Sequence, residues 1–178
     1  MASRRDYDIA FVGLKPGVHQ FHYEITDSFF EEFGPQDFSN CKATLTLHLE
    51  KGTGFMLLRF EVGGTLEVVC DRCGNKLPLQ LWDEFEVLVK MTDDPEVMNA
   101  EEENPDVFYI SRTESHLHVK EWIFEFINLS IPMQRMCSES EMGGVFCNKE
   151  VLARLAEMNP QPAANKSIWK DLDKFRNE

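Results

Sequence analysis

The 178-residue chain has no apolar run near the roughly 20 residues that cross a bilayer. It also lacks the short patterns of common catalytic chemistries: no H-E-x-x-H, no phosphate loop, no nucleophile elbow. Positive charge is scarce, with 18 Lys and Arg against 31 Asp and Glu, a net charge of −13. Such a surface repels phosphate at long range, which argues against broad nonspecific nucleic-acid binding and suits a basic protein partner. Met1 to Tyr7 carries basic residues with no apolar segment behind them, so no secretory signal is expected. Five cysteines, an odd number, then point to a reducing cytoplasm with free or metal-bound thiols. The carboxylates crowd into one polar run with no apolar pocket in sight to raise a pKa. A non-enzyme without a small-molecule substrate is expected.

What is present is enough for a core. The hydrophobic fraction is 43% and there are 14 phenylalanines, so metal need not be the sole source of stability, unlike in small zinc fingers. Cys70-Asp71-Arg72-Cys73-Gly74 is a C-x-x-C pair followed by glycine, between two runs of strand character. Cys137 and Cys147 lie far down the chain in a polar, glycine-containing loop. Four thiols in two loops suit a tetrahedral structural zinc site, although the second spacing is wider than in common zinc modules. The alternative is four small, buried thiols. His116 is a substitute candidate for a ligand. Cys41 reads as a semi-buried thiol without a role.

Period-two patterning dominates the first half. Residues 6–26 read as a hairpin around Lys15-Pro16-Gly17, with Phe21, Tyr23 and Ile25 on one face. Thr26 to Phe33 reads as a short helix in which Ser28 and Glu31 are spaced as a capping box. From Ala43 to Met91 the pattern is a β-meander, with Lys51 to Gly54 and Gly63-Gly64 read as turns. Its last strand, Leu77 to Met91, keeps Leu79, Leu81, Phe85, Val87 and Val89 on one face. This places the C-x-x-C pair at a hairpin tip, where Gly74 lets backbone amides turn toward sulfur. Residues 92–106 are acidic and read as a solvated loop, with a docking arm for a basic partner as the sharper reading. Phe108 to Ile110 reads as one more strand. Val119, Trp122, Ile123, Phe126 and Ile127 mark an amphipathic helix ending near Ser130. Lys149 to Met158 reads as a helix, 159–164 as a linker and Ile168 to Phe175 as a short terminal helix.

The order of these pieces resembles the YceD-like family, the large ribosomal RNA subunit accumulation proteins. The matching residues are Gly17 to Phe21, Cys70 to Cys73, Leu129 to Met133 with Cys137 following, Gly143 to Cys147, and Ile168 to Leu172. The likeness extends over nearly the whole chain. One departure stands out: many members carry a second C-x-x-C-G, whereas here Cys147 is followed by Asn148-Lys149-Glu150. The resemblance implies a bacterial cytoplasmic factor in ribosome assembly that binds a ribosomal protein, a pre-large-subunit particle or precursor rRNA.

The expected fold is α+β: an antiparallel β-sheet or partly open barrel, with a packed amphipathic helix, a two-loop cysteine site and C-terminal helices. Residues 1–158 form one domain and 159–178 a linker with a short helix. The metal candidates are Cys70, Cys73, Cys137 and Cys147, with zinc as structural cofactor. Arg72, Lys76 and Arg135 flank them and would form a local positive spot for partner or RNA contact. Trp82, Trp122 and Trp169 read as core residues and poor stacking platforms. Two other functions compete with ribosome assembly: a zinc-stabilised interaction module unrelated to ribosomes, and a thiol redox protein. The redox reading is disfavoured because Gly74, Asn75 and Pro78 follow the pair, so no helix begins there to lower a thiol pKa.

Overall fold

A computed structural model describes residues 4–137 and 144–158. The sequence-predicted linker and terminal helix, Trp169 among them, lie outside the described residues, as does Gly143. In chain order come β1 (Asp8–Ile9), β2 (Gly17–Thr26), α1 (Asp27–Phe30), β3 (Phe38–Lys51), β4 (Phe55–Val69) and β5 (Lys76–Thr92). These are followed by α2 (Pro95–Glu101), β6 (Val107–Ser111), β7 (Leu117–His118), α3 (Lys120–Leu129) and α4 (Lys149–Met158). The main sheet has five strands in the order β2-β3-β4-β5-β6. Its end strands, β2 and β6, do not pair with one another, so the sheet is open and not a closed barrel. It is antiparallel except at its last step, where β6 runs parallel to β5.

Alternation decides which face is buried. Leu45, Leu47 and Leu49 on β3, Met56, Leu58 and Phe60 on β4, and Leu81, Val87 and Val89 on β5 all point inward. Helix α3 covers this face, burying Ile123, Phe126 and Ile127. Its Phe126 ring stacks on Phe85 at 4.4 Å and tilts against Phe60 at 4.9 Å. On the helix flank Phe124 stacks on Phe33 at 4.1 Å. Each such ring removes some 150–250 Å² from water, so these contacts dominate the core.

Several sequence expectations are overturned. Residues 6–26 are not a hairpin: β1 pairs antiparallel with β7, and β2 pairs with β3. Between them the chain makes a 3₁₀ turn over Phe11–Gly13, whose end is held by Lys51 Nζ donating to the carbonyls of Phe11 and Leu14, both at 2.8 Å. The capping box is not formed, as no side chain caps α1. Asp27 instead accepts the N–H groups of Asn40 and Cys41, at 3.0 and 2.8 Å, where β3 bulges and Asn40 adopts φ 53°.

Gly63-Gly64 is not a turn either. β4 runs straight through it, and Gly64 is required by close approach. A Cβ on Gly64, which sits at φ +127°, would lie 2.3 Å from the Lys42 carbonyl oxygen. The acidic stretch 92–106 contains α2, started by Pro95 at its first turn. Within it Asn99 works as a substitute strand: its side chain donates to the Tyr109 carbonyl and accepts from the Tyr109 N–H, both at 2.8 Å. This closes the edge of β6 that would otherwise be open to strand addition.

Candidate functional site

The β4–β5 hairpin tip carries Cys70 and Cys73, as the sequence pattern predicts. The tip is a tight turn in which the Gly74 N–H donates to the Cys70 carbonyl and the Cys70 N–H to the Asn75 carbonyl, both at 2.8 Å. Gly74 takes φ +74°, a conformation that L side chains rarely adopt. The segment after α3 comes back to this tip. Asp71 N–H donates to the Arg135 carbonyl, and Arg135 N–H donates to the Asp71 carboxylate, each at 2.8 Å. One aspartate thus clasps the two loops through both its backbone and its side chain.

Behind that clasp the four candidate thiols meet. Cys70, Cys73, Cys137 and Cys147 are all buried. The Cys70 sulfur is in hydrogen-bond contact with the Cys73 side chain and with Cys137. Cys137 Sγ lies 3.1 Å from Cys147 Sγ. Cys147 is delivered by a turn whose N–H donates to the Gly144 carbonyl, just ahead of α4. That helix is capped by Asn148, whose Oδ1 accepts the N–H groups of Glu150 and Val151.

The electrostatics of this cluster follow from where amides point. Burial alone would push the Cys70 thiol up. The backbone N–H groups of Cys137, Cys73 and Arg72, with the Cys73 side chain, outweigh it and bring Cys70 down to about 7. Cys137 is pushed up to about 11, first by its hydrogen bond with Cys147, then by burial and the neighbouring thiols. One sulfur is prepared to carry negative charge while its neighbour holds a proton. The glycine amide itself goes to a carbonyl and not to sulfur; the sulfur-directed amides come from Arg72, Cys73 and Cys137.

As a donor set the four thiols suit zinc, but as placed one pair, Cys137 and Cys147, stands closer than a tetrahedral site would set it. In a tetrahedral thiolate site with Zn–S near 2.3 Å, neighbouring sulfurs are about 3.8 Å apart. The Cys137–Cys147 separation of 3.1 Å is shorter than that edge, yet well beyond the roughly 2.05 Å of a disulfide. Among the described residues, no three or more His, Cys, Asp or Glu side chains form a group that could hold a metal ion as placed. His116 lies elsewhere, lining a cleft beside α3.

The flanking cations are drawn into ion pairs. Arg135 pairs with Asp37 at 2.5 Å and Lys76 with Glu67 at 3.4 Å. Glu67 is in turn held below the usual carboxylate range, first by the Asn40 side chain and then by Lys76. The charge beside the thiols is therefore largely compensated.

The match to a family model extends over residues 58–175, about two thirds of the chain, under the description large ribosomal RNA subunit accumulation protein YceD. The chain belongs to the YceD family. The matched portion begins inside β4 and includes all four clustered cysteines, while Gly17 to Phe21 falls before it, so the likeness is narrower than the sequence pieces alone imply. No match is found among curated proteins or among solved structures. No helix among the described residues is long and apolar enough to cross a membrane.

Two aromatic features escaped the sequence reading. Trp82 is 81% exposed on the outward face of β5, opposite Gly63, and is not a core residue. Its parity with Gln80 and Glu84 was the available signal. Trp122 does pack inward, against Phe60, but it also meets Phe108 edge-to-face at 5.4 Å at the wall of the α3 cleft.

Proposed function

We propose that this YceD-family chain is a non-catalytic cytoplasmic factor that supports accumulation of large-subunit ribosomal RNA by binding a ribosomal protein within the assembling particle. Family membership carries the ribosomal part of this reading. The net charge of −13 supports contact with a basic protein ahead of contact with RNA. The compensation of Lys76 and Arg135 by Glu67 and Asp37 supports the same ranking. Co-purification of the tagged full chain with pre-large-subunit particles, at moderate and then high salt, tests it. Recovery only in the free fraction, without any ribosomal protein, would overturn it.

Within this reading, Cys70, Cys73, Cys137 and Cys147 would hold a structural zinc that fixes the hairpin tip to the segment after α3. Thiolate burial, contact between successive sulfurs, and three amides directed at Cys70 support the donor chemistry. The metal would supply cross-linking alone. Elemental analysis of the purified protein is expected to find one zinc per chain, and well under one would end the zinc reading.

A further inference from the structure

A cleft of about 880 Å³ opens beside the N-terminal half of α3. Phe108 and Trp122 form an aromatic wall in it, and Glu114, Glu121 and Glu125 contribute carboxylates. Glu121 and Glu125 stand one helical turn apart, where like charges repel. Among the described residues none of these three carboxylates enters an ion pair. The one amine of the lining, Lys120, is turned to Glu32 and sits over the rings of Tyr7, Phe29 and Phe33. Asp8, also in the lining, is engaged by His118 at 2.6 Å.

We propose that this cleft receives an arginine of a basic segment from a protein partner, its guanidinium set against Phe108 and Trp122 and bonded by Glu121 and Glu125. This rests on the reading of the chain as a binder of a ribosomal protein, and names the surface that does it. A guanidinium is planar, stays charged, stacks on aromatic rings and bonds two carboxylate oxygens at once, so it matches both the wall and the rim. A phosphate would face three negative groups. Strand addition at β6 is blocked, because Asn99 already occupies the N–H and carbonyl of Tyr109. Recognition in the cleft therefore runs through side chains.

The test uses the full chain and a fluorescent peptide of alternating arginine and glycine, with a lysine–glycine peptide as comparison. The double variant Glu121→Gln/Glu125→Gln is expected to weaken arginine-peptide binding by about tenfold, since two charge-assisted bonds are lost. Both sites are exposed and the change relieves a repulsion, so folding is retained. The triple variant Glu96→Gln/Glu101→Gln/Glu103→Gln removes more charge from the acidic stretch around α2 and is expected to change binding by less than about threefold. In a Trp82→Phe/Trp169→Phe background Trp122 is the sole tryptophan, and its emission should shift on saturation with the arginine peptide. Equal losses from both sets of variants, or an unchanged Trp122 emission, would overturn the proposal, as would tighter binding of an RNA oligonucleotide that the cleft variant abolishes. Co-purification separates the two readings. If wild type and cleft variant both travel with large-subunit particles, the cleft assignment falls while the assembly role stands. If wild type binds the peptide in the cleft and never meets particles, the assembly role falls alone.

Discussion

The sheet body and the thiol junction are built on opposite principles. In the body, buried apolar side chains repeat with period two along the long strands, and α3 adds a stripe at helical spacing. No single contact there is indispensable to the topology, because neighbouring residues say the same thing. At the junction two loops distant in sequence are held by a few directed groups: Asp71 to Arg135, and amides to the Cys70 sulfur. Cysteine itself shows the difference. Cys41, in the body, is pushed up to about 11, first by burial and then by nearby Asp27, against a lowering backbone bond from Ala43. Cys70 is also shielded from solvent, yet aimed N–H dipoles outweigh its burial and bring it down to about 7. Burial alone does not define a thiol's character; the direction of the surrounding amides does.

The largest effects should come from the body. Phe60 is fully buried and touches Phe126 and Trp122, so Phe60→Ala is expected to cost about 3–5 kcal/mol in urea unfolding. The adjacent glycines give a sharper control. Gly64→Ala places a methyl against the Lys42 carbonyl at positive φ, and should cost several kcal/mol. Gly63→Ala meets only Thr44 Oγ1 at 3.7 Å and should cost under about 1 kcal/mol. Equal costs at the two positions would show that the sheet can shift there, contrary to the close approach of β3 and β4.

Next comes a pH effect confined to the body. Tyr23 is pushed up to about 12, first by burial and then by Tyr7, from an ordinary value of 10.0. The unfolded phenol therefore loses its proton first, so the contribution is complete below pH 10 and is lost as pH rises toward about 12. The full loss is at most about 2.7 kcal/mol. Tyr23→Phe removes this slope, and urea midpoints measured across the alkaline range should then fall less steeply. An unchanged slope would place the alkaline sensitivity elsewhere, with Cys41 as the next group to remove.

How far each region could be read in advance follows from the same contrast. The inward residues of β3 and β5, the stripe of α3 and the hairpin-tip position of Cys70 and Cys73 are legible because local periodicity and burial agree there. The pairing of β1 with β7 was not, since two-residue strands carry no period and the partner lies over a hundred residues away. The parallel return of β6 depends on α2, which seven residues of mixed polarity do not announce. Gly63-Gly64 was misread because glycine pairs mark turns and close approaches alike. At the site, the four cysteines could be grouped by residue type. The clasp by Asp71 could not, because an aspartate between two cysteines looks like any exposed turn residue.

At the junction, Asp71→Ala deletes the acceptor of the Arg135 N–H and should loosen local opening by about 1–3 kcal/mol. Hydrogen exchange should speed up at Arg135 and Cys137 while the amides of Leu47 and Phe60 stay protected, because opening is local where few apolar contacts cross. Exchange that accelerates everywhere would mean the junction and the body unfold as one unit.

The smallest effect asks one substitution to behave differently in the two regions. Cys41→Ala removes a sulfur whose polar contacts are a backbone bond from Ala43 and a long 3.9 Å approach to the Ile25 carbonyl, leaving the Cβ in place. A loss of about 1 kcal/mol or less in global stability is expected, with no change in exchange at the junction. Cys137→Ala removes a sulfur that touches both Cys70 and Cys147. It should open the junction amides with little change in the urea midpoint, because no strand of the sheet depends on it. If both variants instead lower the global midpoint alike, the junction thiols are ordinary core atoms and the directed amides around Cys70 carry no separate role.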